Sequence, residues 1–182
     1  GSTITVNGNG CLLTYNSSNS AQPWTLGLNG ADYMTFNDIY IEALGSTYAL
    51  ACHLWNVADN NAFNTCTITA PNSSGSSSSQ VPLSISGSAN APTTSGNCGN
   101  YNVFTSCLIE GGYYGVTIYA MTSAPFNVGN NLIGCTVRDF FAYGILNYYH
   151  RNFTFSGNTI ERPNQGATTT CAGIYLSTQS YG

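Results

Sequence analysis

Four segments of this chain repeat one pattern, in which an aromatic residue is followed by two apolar or small positions at fixed spacing. The segments are residues 36–42, 63–69, 104–110 and 155–161, and residues 133–138 fit the same pattern with one residue deleted. Apolar residues alternate within each segment, which indicates a short β-strand. Such self-similarity along a chain is typical of stacked repeat architectures, and it constrains the fold more than any other feature of the sequence.

A second series of apolar strand segments lies between the members of the first. Its leading apolar positions are Leu26, Leu50, Leu83, Val116, Ile145 and Ile174, separated by steps of 24, 33, 33, 29 and 29 residues. Because two interleaved strand series share one elastic period, the sequence predicts a coil of stacked rungs instead of a sandwich. Six rungs at about 4.8 Å each give a rod ~30 Å long.

Stacked rungs place equivalent side chains in columns. One predicted inward column contains Ile41, Ile68, Ile109, Val137 and Ile160, and a neighbouring one contains Ile39, Cys66, Cys107, Cys135 and Asn158. Glycine and asparagine between the strands are suited to the tight corners of such a coil.

Three segments carry a family resemblance: NVFTSCLIEGGYYGVTIYA at 102–120, NNLIGCTVRDFFAYGILNYY at 130–149 and FTFSGNTIERP at 153–163. Over about residues 24–177 the chain resembles the right-handed parallel β-helix (pectin-lyase-like) superfamily. The resemblance implies an all-β right-handed parallel β-helix of about six rungs, here one domain over residues 1–182 without a membrane helix. That superfamily includes lyases, polygalacturonases, tailspikes, adhesins and surface-layer proteins, so the resemblance indicates architecture and not function.

Two regions depart from the rung pattern. The Ser-rich stretch 71–100 is interpreted as two long loops around one rung, with a domain linker as the alternative. Residues 1–23 form either capping or docking strands or a first rung. The segment from Ala172 onward begins a rung without a visible cap helix, which favours self-association or further solenoid rungs at uncapped ends.

Charge is scarce: the chain has 182 residues, three arginines, no lysine, seven acidic residues and a net charge of −4. This inventory excludes nucleic-acid binding through basic residues, and no apolar run is long enough for membrane insertion. An uncharged polar surface is typical of a secreted protein at the cell surface or outside the cell. Asn16, Asn72 and Asn152 match the N-glycosylation pattern and are predicted acceptor sites.

Seven cysteines occur without any CxxC pair, and neither His53 nor His150 lies near a cysteine pair at ligand spacing. We therefore expect no metal and no cofactor. Cys66, Cys107 and Cys135 are predicted either as core thiols or as members of a disulfide between neighbouring rungs.

Charged residues share one outward repeat position, which is occupied in turn by Glu42, Thr69, Glu110, Arg138 and Glu161. One interpretation is an ion-pair ladder on the rod's surface. The alternative is an active site in which Glu110, Arg138 and Glu161 are catalytic, since glycoside chemistry uses paired carboxylates. The polygalacturonase motifs of the resembling superfamily are not present in this sequence.

Aromatic side chains cluster in the second half of the chain. They brace the corners of the coil or form a sugar or partner contact; the members are Tyr113, Tyr114, Phe141, Tyr143, Tyr148 and Tyr149. Together these features favour an extracellular structural β-solenoid that self-assembles or belongs to an adhesin or fibre. The alternatives are a polysaccharide-active enzyme, either a lyase or a glycoside hydrolase, and a carbohydrate-binding module that contacts glycans.

Overall fold

The structure is a computed structural model that describes residues 3–72, 77–166 and 170–177. All of its regular secondary structure is β. The strands are β1 (Ile4–Tyr15), β2 (Trp24–Asn29), β3 (Met34–Ala43), β4 (Ala49–Trp55), β5 (Ala62–Asn64), β6 (Thr67–Thr69), β7 (Gln80–Ser86), β8 (Val103–Thr105), β9 (Leu108–Glu110), β10 (Tyr114–Tyr119), β11 (Asn131–Ile133), β12 (Thr136–Arg138), β13 (Tyr143–Tyr148), β14 (Phe155–Ser156), β15 (Thr159–Glu161) and β16 (Ala172–Ser177).

These strands form two sheets, sheet A and sheet B, that wind into a parallel β-solenoid of about six turns. Sheet B has the order β16-β13-β10-β7-β4-β2. In sheet A the long strand β3 pairs with both β5 and β6, and the later rungs continue these two strips as β8, β11 and β14 and as β9, β12 and β15. The predicted fold class of an all-β solenoid is therefore confirmed. No helix in the described part of the chain is long and apolar enough to span a membrane.

The N-terminal strand β1 pairs in parallel with β3, so it forms the lowest rung of sheet A. Within residues 1–23, the described strand is Ile4–Tyr15, and whether it caps or docks stays a prediction. The Ser-rich stretch contains one strand, β7, flanked by loops. Residues 73–76 of that stretch lie outside the described residues.

The predicted isoleucine column of sheet A is confirmed by the strand register. Ile41 pairs with Ile68, Ile68 with Ile109, and Val137 joins Ile109 to Ile160. Ile41, Ile68, Ile109 and Val137 are fully buried. Beside them, the rings of Phe36, Phe63 and Phe104 stack with centroids 4.8 and 4.7 Å apart. In these two columns the repeat thus places one apolar side chain per rung in the core.

The predicted second series is wrong at one position. Leu26 pairs with Cys52, which pairs with Leu83, whereas Leu50 pairs with Trp24 and Val81. An apolar residue precedes Cys52 by two positions, and this hid the correct register in the sequence. Thr25 and Ala51, the residues between these pairs, have no ladder partner in β2 and β4. The strand pairing is therefore irregular near the start of these strands.

Each rung of sheet A turns a corner through a residue in the left-handed conformation. The φ angles at this corner are 49° at Asp38, 53° at Thr65, 52° at Ser106, 63° at Gly134 and 66° at Gly157. Two of these five residues are glycine, and the lowest rung bends through Asn9 and Gly10, with φ angles of 50° and 76°. The three rungs between them carry the conformational cost of a side chain other than asparagine at this corner.

A buried asparagine ladder links the rungs at the start of sheet A. The amide nitrogen of Asn61 donates to Oδ1 of Asn102 at 2.9 Å, and that of Asn102 donates to Oδ1 of Asn130 at 2.9 Å. The backbone N–H groups of Asn61 and Asn102 donate to the same two oxygens. At the upper end, the Asn130 N–H donates to Nε2 of His150 at 3.1 Å. The ladder satisfies backbone groups that the corners leave unpaired.

The outer face of sheet B is covered in its lower half by the loop 87–98. Nε1 of Trp24 donates to the carbonyl of Ala89 at 3.0 Å, and Nε2 of His53 lies 2.8 Å from the carbonyl of Ser88. Every residue of β4 and β7 is consequently buried. The upper half carries tyrosines instead of a covering loop.

Candidate functional site

A groove of about 430 Å³ lies on the outer face of sheet A, at the end of β3, β6 and β9. It is lined by Tyr40, Glu42, Ala43, Leu44, Thr69, Ala70, Pro71, Asn72 and Glu110. Its volume falls within the range typical of small-ligand sites, about 300–1,000 Å³. The lining combines an aromatic ring, apolar side chains and two carboxylates, so the groove is the main concave candidate site of the described chain.

The two groove carboxylates belong to the predicted outward column and are two rungs apart. Glu42 pairs with Thr69 and Thr69 with Glu110, which places the two backbones ~9.6 Å apart. The Thr14 hydroxyl donates to Oε2 of Glu42 at 3.2 Å, whereas Oε2 of Glu110 accepts from Nη2 of Arg138 at 2.9 Å. Only Glu110 is therefore neutralised by an ion pair. The Thr69 hydroxyl between them is buried and has no hydrogen-bond partner among the described residues.

The predicted catalytic set of Glu110, Arg138 and Glu161 occupies consecutive positions of one column, as expected from the repeat. The structure brings Glu110 and Arg138 together in the ion pair. Glu161 follows Arg138 in the column but does not line the groove. The groove instead combines Glu110 with Glu42, a residue that the sequence placed in the column but not in the catalytic set. The ion pair is partly exposed, with side-chain exposures of 37% for Arg138 and 28% for Glu110.

The predicted aromatic cluster forms ladders along the outer face of sheet B. The rings of Tyr114 and Tyr143 stack at 5.8 Å with 3° between their planes, and those of Tyr119 and Tyr148 stack at 4.7 Å. Tyr143 also stacks on Tyr175 at 5.1 Å. Sugar stacking needs a free ring face, and these faces are turned toward one another along the solenoid axis. The ring faces stacked between neighbouring tyrosines are therefore not free to pack against a sugar.

The remaining members of the cluster lie at its margins. The Tyr113 ring contacts those of Tyr114 and Phe141 at 4.7 and 5.3 Å, and the Tyr149 ring lies 6.0 Å from that of Tyr148. Burial raises the pKa of Tyr114 to about 12, so its phenol is neutral over the ordinary pH range. A sugar or partner contact by this cluster stays a prediction.

The two histidines are buried. Burial lowers the pKa of His53 to about 4 and that of His150 to about 4, so both are neutral at pH 7. His53 stacks on Trp55 beneath the loop 87–98, and His150 accepts a backbone N–H of the asparagine ladder. Nδ1 of each ring has no partner among the described residues. Neither histidine lines the groove, so their contacts assign them to the packing of loops and rungs.

The cysteines of the inward column are free thiols in the core. Cys66, Cys107 and Cys135 are each 1% exposed, whereas Cys11 and Cys171 lie at the surface. No group of three histidine, cysteine or acidic side chains in the described residues has the geometry of a metal site. The predicted N-glycosylation residues Asn16, Asn72 and Asn152 are all exposed. Ser73 and Ser74, which complete the Asn72 pattern, lie outside the described residues.

Both ends of the solenoid expose side chains that are buried in the middle rungs. At the lower end Leu13 is 37% exposed, and at the upper end Ile174 is 45% and Leu176 is 46% exposed. Beside the lower end, a pocket of about 290 Å³ is lined by Leu13, Thr14, Tyr15, Gln22, Trp24 and Thr25. The strand edges of β1 and β2 below and of β16 above have no strand partner among the described residues.

Sequence reasoning missed the asparagine ladder and the role of Glu42. A signal for the ladder is present, because Asn61, Asn102 and Asn130 each stand two residues before an inward Phe or Leu. The groove has a weaker signal, because Leu44 and Pro71 each stand three residues after a column isoleucine, Ile41 and Ile68. Comparison of the chain with protein-family models, with curated proteins and with solved structures gave no match.

Proposed function

We propose that this protein is an extracellular structural β-solenoid whose rungs continue from one copy to the next, in an adhesive or fibre-forming assembly. The observation that carries the proposal is the exposure of core-column side chains at both ends of the coil. A parallel strand edge with a bare apolar column is a template for one more rung. Because the upper edge of one copy would meet the lower edge of the next, the contact is head-to-tail and propagates.

The columns of the two ends match. In the register of sheet A, Ile160 ends the column that Leu13 begins, and in sheet B Ile174 ends the column that Leu26 begins. Apolar side chains would therefore meet apolar side chains across a junction. The two end positions of the charged column are Glu161 and Thr14, so no like charges oppose each other.

A polar column supports the same direction of stacking. On the outer wall, Nδ2 of Asn64 donates downward to Oδ1 of Asn37 at 2.9 Å, and Asn37 donates downward to Asn7 at 2.8 Å. Above Asn64 this column continues through Thr105 and the apolar Ile133, and Ser156 ends it at the top. In a stack, the Asn7 amide of an upper copy would have the Ser156 hydroxyl of a lower copy as its acceptor.

Location and winding are part of the proposal. The scarcity of charge and the exposure of Asn16, Asn72 and Asn152 support a secreted protein that carries N-linked glycans. We infer right-handed winding, as in the superfamily that the chain resembles, because about 98% of parallel crossover connections are right-handed.

Sedimentation velocity over a range of concentrations tests the stacking. The parent chain is expected to form concentration-dependent oligomers, and Leu13→Asp or Ile174→Asp should leave a monomer, since each places a charge on an end column. Ile133→Asp is the matched control, because Ile133 is an exposed apolar residue on the rod's wall. A parent that is monomeric at every concentration, or a control that dissociates as fully as the end variants, would contradict the proposal.

A second candidate function, binding or cleavage of a polysaccharide, is favoured by the groove alone. Glu42 and Glu110 are ~9.6 Å apart along the backbone, near the upper end of the separation of about 6.5–9.5 Å found for carboxylates in inverting glycosidases. An array of polysaccharides with Glu42→Gln and Glu161→Gln as the test and control variants checks this. Retention or turnover that Glu42→Gln abolishes and Glu161→Gln preserves would support it, and no retention by the parent would refute it.

A further inference from the structure

The row of Cys66, Cys107 and Cys135 crosses three successive rungs inside the core. Their backbones are joined by the sheet: the Leu108 N–H donates to the carbonyl of Cys66 at 2.9 Å, and the Thr136 N–H donates to that of Cys107 at 2.9 Å. Neighbouring members are therefore ~4.8 Å apart at Cα. This separation lies within the range of about 4.4–6.8 Å that a disulfide requires.

The thiols point along the solenoid axis, toward one another's rungs. Sγ of Cys107 lies 3.4 Å from the carbonyl oxygen of Phe63, one rung below, and Sγ of Cys135 lies 3.3 Å from that of Phe104. Cys66 makes the equivalent contact with Phe36 at 3.5 Å. Each Sγ also lies near a carbonyl of its own rung, at 3.4 Å for Cys66, 3.5 Å for Cys107 and 3.7 Å for Cys135. The three thiols therefore point the same way along the axis, and Cys107 has one thiol in the rung below it and one in the rung above it.

The middle and outer thiols differ in acidity. The neighbouring Cys107 thiol lowers the pKa of Cys66 to about 7 and likewise that of Cys135 to about 7. Contact with two neighbouring sulfurs raises the pKa of Cys107 far above its ordinary value. Cys107 has one S–H to donate, so one outer thiol at a time gains from it. Near neutral pH the nucleophilic thiolate of the row is therefore an outer cysteine, with Cys107 as its protonated neighbour.

We propose that this row is an oxidation site that forms one disulfide, with Cys107 as the obligatory partner and Cys66 or Cys135 as the alternative partner. Cys66 and Cys135 are two rungs apart, ~9.6 Å, and so cannot be joined to each other. Because Cys107 takes part in either pairing, only one disulfide can form at a time, and the other outer cysteine stays a thiol. The remaining outer thiolate can attack the Cys107 sulfur of the disulfide and exchange places with the bonded cysteine.

With hydrogen peroxide as the oxidant, the chemistry balances in two steps. The outer thiolate attacks a peroxide oxygen, which breaks the O–O bond, releases hydroxide and leaves a sulfenic acid. The Cys107 sulfur then attacks the sulfenic sulfur and displaces a second hydroxide. The Cys107 proton converts one hydroxide to water, and the proton that the outer thiol lost on becoming a thiolate converts the other. In total two thiols and one peroxide give one disulfide and two waters. Cross-linking between in-register parallel strands departs from relaxed disulfide geometry, so the bond should be readily reduced again.

The experiment uses the full chain with Cys11→Ser and Cys171→Ser, which removes the two exposed thiols. The reduced protein is treated with hydrogen peroxide and analysed by intact mass and by non-reducing peptide mapping. We expect a loss of two hydrogens, a fall from five thiols to three, and two alternative cross-linked peptides, 66–107 and 107–135. Dithiothreitol should restore all five thiols.

Variants in the same background separate the roles. Cys107→Ala should abolish the disulfide, whereas Cys66→Ala and Cys135→Ala should each retain the other pairing, and Cys98→Ala should retain both. If a variant fails to fold, peptide mapping of the protein that keeps Cys66, Cys107 and Cys135 still shows which cysteines are cross-linked. The proposal is overturned if the row keeps its thiols in peroxide, if Cys107→Ala still cross-links Cys66 or Cys135, or if Cys66 pairs with Cys52 instead.

Discussion

The middle rungs and the terminal rungs of this solenoid are built from the same columns, yet they differ in what covers each column. Ile109 in the middle is fully buried between Ile68 and Val137, whereas Ile174 at the top is 45% exposed. Because the repeat supplies the same kind of side chain to both places, the difference arises from neighbours and not from residue type. A rung is stabilised by the rungs on either side, and an end rung has one side bare.

The outer face of sheet B also differs between lower and upper rungs in what covers it. In the lower rungs the loop 87–98 covers His53 and Trp55, and in the upper rungs the tyrosine ladder covers the sheet only with itself. Interior rungs are therefore covered by neighbouring rungs above and below, and some also by a loop on the outer face. The terminal rungs hold the apolar surface through which a further rung can add.

The largest difference should come from truncating an inward isoleucine of a middle rung, Ile109 in sheet A, and one of the end rung, Ile174 in sheet B. Ile109→Ala should lower the free energy of unfolding by about 2–5 kcal/mol, because it opens a cavity in a packed core. Ile174→Ala should cost less than about 1 kcal/mol in the monomer, because the side chain already faces solvent. Urea denaturation at low protein concentration measures both. Equal losses would show that the end rung is as enclosed as the middle.

The two asparagine ladders give the next comparison. Asn102→Ala should cost about 3 kcal/mol, because it leaves the N–H groups of Asn61 buried without their acceptor. Asn37→Ala, in the outer ladder, should cost about 0.5 kcal/mol, since solvent can replace its partners. The same denaturation experiment compares the two variants. A cost at Asn37 that matches the cost at Asn102 would contradict the account.

Acid should loosen the top rung through His150. Its folded-state pKa is about 4, below the ordinary value of 6.5, so the unfolded state takes up the proton first. Stability is full above pH 6.5 and falls as the pH is lowered toward 4, by up to about 3 kcal/mol. Hydrogen exchange at several pH values should show β14 and β15 losing protection before β6 and β9.

Two substitutions separate this effect from general acid unfolding. His150→Gln keeps an acceptor for the Asn130 N–H and should flatten the pH dependence of the top rung. His53→Gln should flatten only that of the lower rungs beneath the loop 87–98. Unchanged acid sensitivity of β14 and β15 in His150→Gln would exclude His150 as the titrating group.

The smallest effect is expected at the surface ion pair. Glu110→Gln and Arg138→Gln should each cost less than about 1 kcal/mol, because both side chains are partly exposed and screened. Thermal denaturation at low and high salt measures the difference, which should shrink as salt is added. A loss of several kcal/mol in the free energy of unfolding would mean that this ion pair stabilises the rungs as much as a core side chain does.

The columns of side chains were predictable from the sequence because the constant spacing within each repeat fixes which residues of successive rungs are equivalent. The spacing from Phe36 to Ile41 recurs in three later rungs, and this was sufficient to align the isoleucines and the outward charges. Leu50 was misplaced because strand β4 is apolar on both faces beneath the covering loop, and alternation is lost there. The groove was not predicted, although its wall residues Leu44 and Pro71 each stand three residues after a column isoleucine. Its concave shape depends on how these residues pack beyond the strand ends, which strand alternation does not describe.

Electron cryomicroscopy of the concentrated parent chain tests the central claim, that the rungs continue across the junction between copies. The account predicts rods whose lengths are multiples of one molecule, ~29 Å for six rungs, with an unbroken spacing of about 4.8 Å through each junction. Single-length particles at every concentration, or copies joined side by side through the wall of the rod, would contradict it.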